Sequence, residues 1–270
     1  MSEHFAEIAW QGRPVRIAHA CLGADGLPAQ GAAGADAPLV VFLHEGLGSL
    51  SMWRDFPARL CAAVGACGLV YSRPGYGRST PRPPDERWGP DFMHRQAHEV
   101  LPALLQALGV RQPPWLFGHS DGGSIALLHA ARHPVAGVVV LAPHILVEDL
   151  SVASIARARL AYTTADLRER LARHHDDPDS AFWGWNDAWL SPDFRDWSIG
   201  EELGGITAPL LAIQGLDDGY GTLEQIRGIA RRVPQARLLE LADCGHSPHR
   251  DQPGRVIEAV RRFMASTPNP

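Results

Sequence analysis

The sequence predicts an α/β fold built on a mainly parallel, twisted sheet flanked by helices, with a helical cap inserted. Three observations carry this reading. Short continuous apolar runs such as 39–43 and 138–141 have strand length, segments with helical spacing stand between them, and short connections join the two kinds in alternation. A strand covered by helices on both faces has no solvent side, so it reads as an unbroken apolar run.

In order, 7–10 and 15–21 read as two strands joined at Gln11-Gly12-Arg13-Pro14, a link of hairpin length. The stretch 23–38, rich in Gly, Ala, Asp and Pro, reads as an exposed loop. Strand 39–43 leads to helix 52–64, where Phe56, Leu60 and Val64 recur on one face. Strand 69–71 ends in the turn-rich Arg73-Pro74-Gly75-Tyr76-Gly77-Arg78-Ser79. Helix 92–108 leads to strand 115–117, helix 124–132 to strand 138–141, strand 210–214 to helix 223–232, and strand 237–241 to helix 256–264. The alternation breaks between about 147 and 202, where helical segments 155–161 and 167–174 and the aromatic stretch 182–189 replace strands. This divides the chain into core 1–146, a helical cap or lid 147–202, and core 203–270, with the cap expected over the strand ends where open α/β sheets place ligands.

Composition excludes several chemistries. The 270 residues carry 25 basic and 30 acidic side chains, a net charge of −5 that gives no support to nucleic-acid binding. No lysine occurs, which removes Schiff-base catalysis and a phosphate-binding lysine loop. No apolar run approaches the roughly 20 residues that cross a bilayer, and the acidic start Met1-Ser2-Glu3-His4-Phe5-Ala6-Glu7 does not resemble a secretory signal. The expectation is a cytoplasmic protein that acts on a small-molecule substrate, binds neither nucleic acid nor membrane, and is of open oligomeric state. Cys21, Cys61, Cys67 and Cys244 lack CxxC spacing and read as buried thiols. His94 and His98 stand four apart without a third ligand, and His174-His175 reads as a solvated helix end, so no metal is expected. Gly46-x-Gly48 and Gly75-x-Gly77 lack the pattern of a dinucleotide loop, so no cofactor is expected.

The chemistry gathers at three places. Gly118-His119-Ser120-Asp121-Gly122 stands between an apolar strand and a helix, the context of a nucleophile elbow, where a sharp turn exposes the serine hydroxyl above the sheet. The bland alternative is that Ser120 caps the helix. Asp217 and Asp218 follow strand 210–214 and emerge at the same sheet end. Cys244-Gly245-His246-Ser247-Pro248-His249 follows strand 237–241, and we read His246 as the general base, with His249 as a buttress of the loop.

The serine, acid and histidine appear in that chain order, and over nearly its whole length the chain resembles the α/β-hydrolase superfamily. The likeness rests on Leu43-His44-Glu45-Gly46-Leu47-Gly48-Ser49, on Arg73 to Ser79, on the elbow, on Gly215 to Asp218 and on Gly245-His246. It implies a serine hydrolase whose catalytic residues are Ser120, Asp218 and His246, since relatives place the acid three residues after the glycine at 215. It also implies an oxyanion hole from the backbone N–H groups of Asp121 and Gly46, with Leu47 as the fallback. Donors of this kind are worth about 3–4 kcal/mol each. The expected reaction is cleavage of an ester-type bond of a small, mainly apolar molecule through an acyl-enzyme. Carbon–carbon bond hydrolases, lactonases, thioesterases and aminopeptidases share these side chains, and a ligand receptor on the same scaffold is the non-enzymatic alternative.

The chain departs from the family at Glu45, where relatives carry glycine. The sequence reading pairs Glu45 with an arginine such as Arg73 or Arg54, and the competing reading turns it into the pocket to favour cationic or neutral substrates. Trp183, Trp185, Trp189 and Trp197 are read mainly as packing between cap and core, with a bias toward apolar or aromatic groups.

Overall fold

A computed structural model of the chain describes residues 2–29 and 37–267. Strands β1 (His4–Trp10) and β2 (Arg13–Leu22) form an antiparallel hairpin. It turns on Gln11 (φ 52°) and Gly12 (φ 72°), both left-handed as the favoured two-residue hairpin turn requires. Within the stretch expected to be a loop, Pro28–Ala29 forms a short β3 against β2, and residues 30–36 lie outside the described residues. Strands β4 (Leu39–Leu43), β5 (Cys67–Tyr71), β6 (Trp115–His119), β7 (Gly137–Leu141), β8 (Leu210–Gly215) and β9 (Arg237–Leu241) pair in parallel. The sheet order is β1-β2-β5-β4-β6-β7-β8-β9, with β2 joined antiparallel to β5. The α/β-hydrolase fold expected from the sequence is the fold observed.

The sheet separates two apolar layers. Within β4, Val41 and Leu43 enter one layer while Val40 and Phe42 enter the other, the period-two alternation of a strand buried on both faces. On the second face, Phe56 and Leu60 of α1 (Phe56–Val64) meet residues from the C-terminal part of the chain. On the first lies a helical stretch made of α2 (Phe92–Arg95), a π turn over Gln96–Val100 and α3 (Leu101–Ala107), followed by α4 (Asp121–Ala130).

Between β7 and β8 come α5 (Asp149–Thr164), α6 (Leu167–Leu171) and α7 (Pro178–Trp189). Apart from an isolated bridge between Leu146 and Ser198, no described residue of this insert pairs as a strand. Helix α7 starts cleanly because the Asp177 carboxylate accepts from Ser180 N at 2.8 Å and Pro178 occupies the first turn. Then α8 (Glu224–Arg232), α9 (Pro248–Asp251) and α10 (Pro253–Ala265) complete the chain, with Val256, Val260 and Phe263 of α10 packed beside α1. Because β4, β6, β7, β8 and β9 run in parallel, the loops carrying Gly46, Ser120, His144, Asp218 and His246 all leave one sheet edge. None of the described helices is long and apolar enough to cross a membrane.

Candidate active site

Ser120 connects β6 to α4 at φ 53° and ψ −123°, a conformation that costs a non-glycine residue of order 1–3 kcal/mol. The turn closes because its neighbours lack side chains. A Cβ on Gly118 would stand 2.3 Å from Gly122 O, and one on Gly122 would stand 2.1 Å from Leu43 O. Backbone oxygens cannot swing aside, so Gly122→Ala should lose about 1–3 kcal/mol of stability in urea denaturation. Unchanged stability would contradict this crowding. The Ser120 hydroxyl makes no cap bond to α4.

Instead its Oγ lies 2.9 Å from His246 Nε2, while His246 Nδ1 lies 2.8 Å from Asp218 Oδ1. The structure therefore brings Ser120, His246 and Asp218 into one hydrogen-bonded file. Asp218 Oδ1 also accepts from Tyr220 N at 2.8 Å, and Oδ2 accepts from Gln214 Nε2 at 3.0 Å. Burial pushes the Asp218 carboxyl up. The hydrogen bond and charge of His246, with the Tyr220 N–H, outweigh this and hold it below the usual range. Asp217, the other candidate, is exposed. His249 is buried between Trp53, Phe56 and His119, away from the file.

Beside the serine, the loop after β4 is fixed by a buried network. His44 Nε2 accepts from Arg73 N at 3.0 Å, so its proton sits on Nδ1 and goes to Glu45 O at 2.8 Å. Arg73 Nη2 donates to the same carbonyl at 2.8 Å. The expected partner of Glu45 is thus corrected. Arg73 meets its backbone oxygen, and the carboxylate pairs instead with Arg250 Nη2 at 3.0 Å and faces His119 Nδ1 at 3.5 Å. Both partners are remote in sequence, so no local pattern marks them. Gly46 N–H has no hydrogen-bond acceptor among the described residues, and the Asp121 N–H belongs to the first turn of α4, where helical partners are lacking.

The insert reaches this edge through α7. The Trp185 indole lies so close over Gly46 that a Cβ there would stand 2.1 Å from its Nε1. Trp189 Nε1 donates to Asp121 Oδ1 at 3.2 Å, and the ring of Trp189 packs edge-on to His144 with centroids 4.9 Å apart. Burial lowers His144 to about 3, helped by the nearby His246, so this wall is an uncharged imidazole at neutral pH. Of Trp183, Trp185, Trp189 and Trp197, then, two lie against residues beside Ser120. Trp197 stacks on Phe194 and Trp183 packs edge-on to Phe182.

Asp121 is fully buried, and desolvation raises its carboxyl to about 6 despite Arg73 and the Trp189 donor. The folded state then binds this proton more tightly than the unfolded chain does. Its contribution to stability is present below about pH 4 and is lost as pH rises through about 6. Asp121→Asn, which keeps an acceptor for Trp189, should be more stable than the parent by about 2–3 kcal/mol near pH 8 and equal to it near pH 3.5. Thermal melts at both pH values check this, and an equal gain at both would contradict it.

The model of the alpha/beta hydrolase family matches residues 40–259. The chain belongs to that family. It is similar to an esterase of Mycobacterium tuberculosis, 26% identical over 86% of this chain and 84% of the relative. It is also similar to a 2-succinyl-6-hydroxy-2,4-cyclohexadiene-1-carboxylate synthase of Yersinia pseudotuberculosis, 28% identical over 85% and 88%. Among solved structures it superposes on a thermophilic esterase from Thermogutta terrifontis with a TM-score of 0.73, at 20% identity and 99% coverage of both chains.

Several residues of this α/β-hydrolase were not singled out from sequence. Gln214 and Tyr220 hold Asp218, and His119 Nε2 donates to the His246 carbonyl at 2.7 Å. Gln214 is the next-to-last residue of β8, beside a loop already singled out, which is the one signal that could have marked it. His175, read as solvated, is buried: its Nδ1 accepts from Gly77 N at 2.9 Å and its Nε2 donates to Leu47 O at 3.1 Å. His94 lies 3.3 Å from Glu202, and no cluster of three or more His, Cys, Asp or Glu fit to hold a metal occurs among the described residues. A cleft of about 510 Å³ between the loop around Trp88 and the face of α7 bearing Trp183 and Asp187 does not include Ser120.

Proposed function

We propose that this α/β-hydrolase is a serine hydrolase, a carboxylic ester hydrolase in class, that cleaves an ester-type bond of a small, mainly apolar substrate through an acyl-enzyme. The observation that carries the reading is the file of 2.9 and 2.8 Å contacts joining Ser120, His246 and Asp218. Ser120 Oγ attacks the carbonyl carbon as His246 Nε2 takes its proton, and Asp218 steadies the resulting imidazolium. The negative oxygen that forms is held by the N–H groups of Asp121 and Gly46, both positioned on backbone rather than on mobile side chains. His246 then returns the proton to the departing alcohol. Water, deprotonated by the same imidazole, attacks the acyl-enzyme, and the acid leaves as Ser120 regains its hydrogen.

The helical insert serves in this reading as a lid, and Trp185 and Trp189 give the acyl or alcohol group an apolar wall. Similarity to an esterase supports the ester preference. Turnover across p-nitrophenyl esters of increasing chain length, lactones, thioesters and dienoic ketones tests it. The expected result is highest kcat/KM on a short or aromatic ester. Faster turnover of a carbon–carbon or thioester substrate would reassign the bond cleaved, and no turnover of any would contradict the reading.

A further inference from the structure

Glu45 occupies a position where its backbone belongs to the loop offering the Gly46 N–H, yet its side chain turns away toward two other elements. Oε1 pairs with Arg250 of α9 at 3.0 Å, and Oε2 faces Nδ1 of His119, the last residue of β6, at 3.5 Å. The same His119 ring donates from Nε2 to the backbone carbonyl of His246 at 2.7 Å. His119 is 1% exposed and Glu45 15%, so their contact is not a surface pair that solvent would screen away, while Arg250 is partly exposed. Oε2 lies tightly against Gly48, where a Cβ would stand 2.4 Å from it, which holds the carboxylate in one place.

We infer that Glu45 is a positioning residue for the proposed general base, acting through His119 and Arg250 to fix the loop that carries His246. The inference rests on the hydrolase reading above and deepens it. His246 lies on the connection between β9 and α9. Among the contacts that pin its backbone are the His119 donor on the His246 carbonyl and the Asp251 carboxylate on Gly245 N at 2.9 Å, with Gln252 Nε2 on the carbonyls of Ala242 and Asp243 and Asp217 N on that of Cys244. Glu45 lies behind the ring of His119 and, through Arg250 four residues beyond His246, ties α9 to the loop after β4. Burial pushes the Glu45 carboxyl up, but His119 and Arg250 more than reverse this and hold it well below the usual range, so it carries its charge wherever the enzyme works.

The other groups facing this cluster are unchanged by substitutions at 45 and 250. His44, Asp121, His174, His175 and His249 lie around Glu45. Asp218, His144 and Tyr220 lie around His246.

The test is the rate at which a fluorophosphonate probe labels the intact protein as a function of pH, in the parent, Glu45→Gln and Arg250→Gln. This rate reads the reactivity of Ser120 toward one small probe, whose binding does not depend on the natural substrate. Glu45→Gln should label about 10–100-fold more slowly, because small misplacements of a catalytic group cost that much. Its acid limb should move to lower pH, because a buried negative charge near the labelling site is removed. Arg250→Gln, a substitution at a partly exposed residue, should move the acid limb the other way, and it carries the test by itself if Glu45→Gln does not fold. Unmoved acid limbs, or limbs moved in the same direction, would overturn the role of Glu45 while leaving the hydrolase reading in place. A parent protein that is not labelled at all would overturn both.

Discussion

Ser120→Ala is expected to remove ester turnover, with kcat reduced on the order of 10⁵-fold or more and any residual rate coming from binding and the oxyanion donors alone. The reason is local: the hydroxyl is the sole group on the elbow within reach of His246, at 2.9 Å from Nε2. The strained φ of 53° already belongs to a side chain with a Cβ, so alanine introduces no new clash and the fold should survive. Initial rates on p-nitrophenyl acetate, with a thermal melt to verify folding, make the comparison. A folded Ser120→Ala protein that keeps the parent rate would show that another nucleophile is at work.

Asp218→Asn should lower kcat by about 10⁴-fold while KM changes little. Oδ1 accepts from both His246 Nδ1 and Tyr220 N, and Oδ2 accepts from Gln214 Nε2, so both oxygens face donors only. An amide satisfies one side and turns its NH₂ against a donor on the other. If the NH₂ faces His246, the ring must carry its proton on Nε2, which then points hydrogen at Ser120 and cannot accept from it. Asp217→Asn, a change at the exposed neighbour, should keep the parent rate. Stopped assays of the two variants side by side check the assignment, and a large loss at Asp217 with none at Asp218 would reverse it.

The fold was legible because strands buried on both faces write themselves as apolar runs, as β4 does; β4 and the exposed edge strand β9 both match the sequence reading residue for residue. Helix α5 was legible only at its centre. It buries just Ser151, Ser154, Ile155 and Tyr162, so the apolar stripe that marks a helix is faint along most of its length. The short α9 was missed because four residues beginning with proline give no periodicity. Residues of the candidate site stood out where a local backbone demand constrains neighbours, as at Gly118, Ser120 and Gly122. Long-range pairing was illegible: Glu45 and Arg250 are 205 positions apart, and nothing in either local sequence favours the other over Arg73 or Arg54. The same holds for Trp189, whose indole finds the carboxylate of Asp121 only once α7 is laid across the sheet edge.

The most direct measurement is peptide mapping by mass spectrometry after saturating treatment with a fluorophosphonate. One adduct per chain on the peptide carrying Ser120, formed in the parent protein and lost in His246→Ala, is the predicted result. An adduct on a different residue, or labelling of Ser120 that persists unchanged without His246, would contradict the claim that these two side chains act as nucleophile and base.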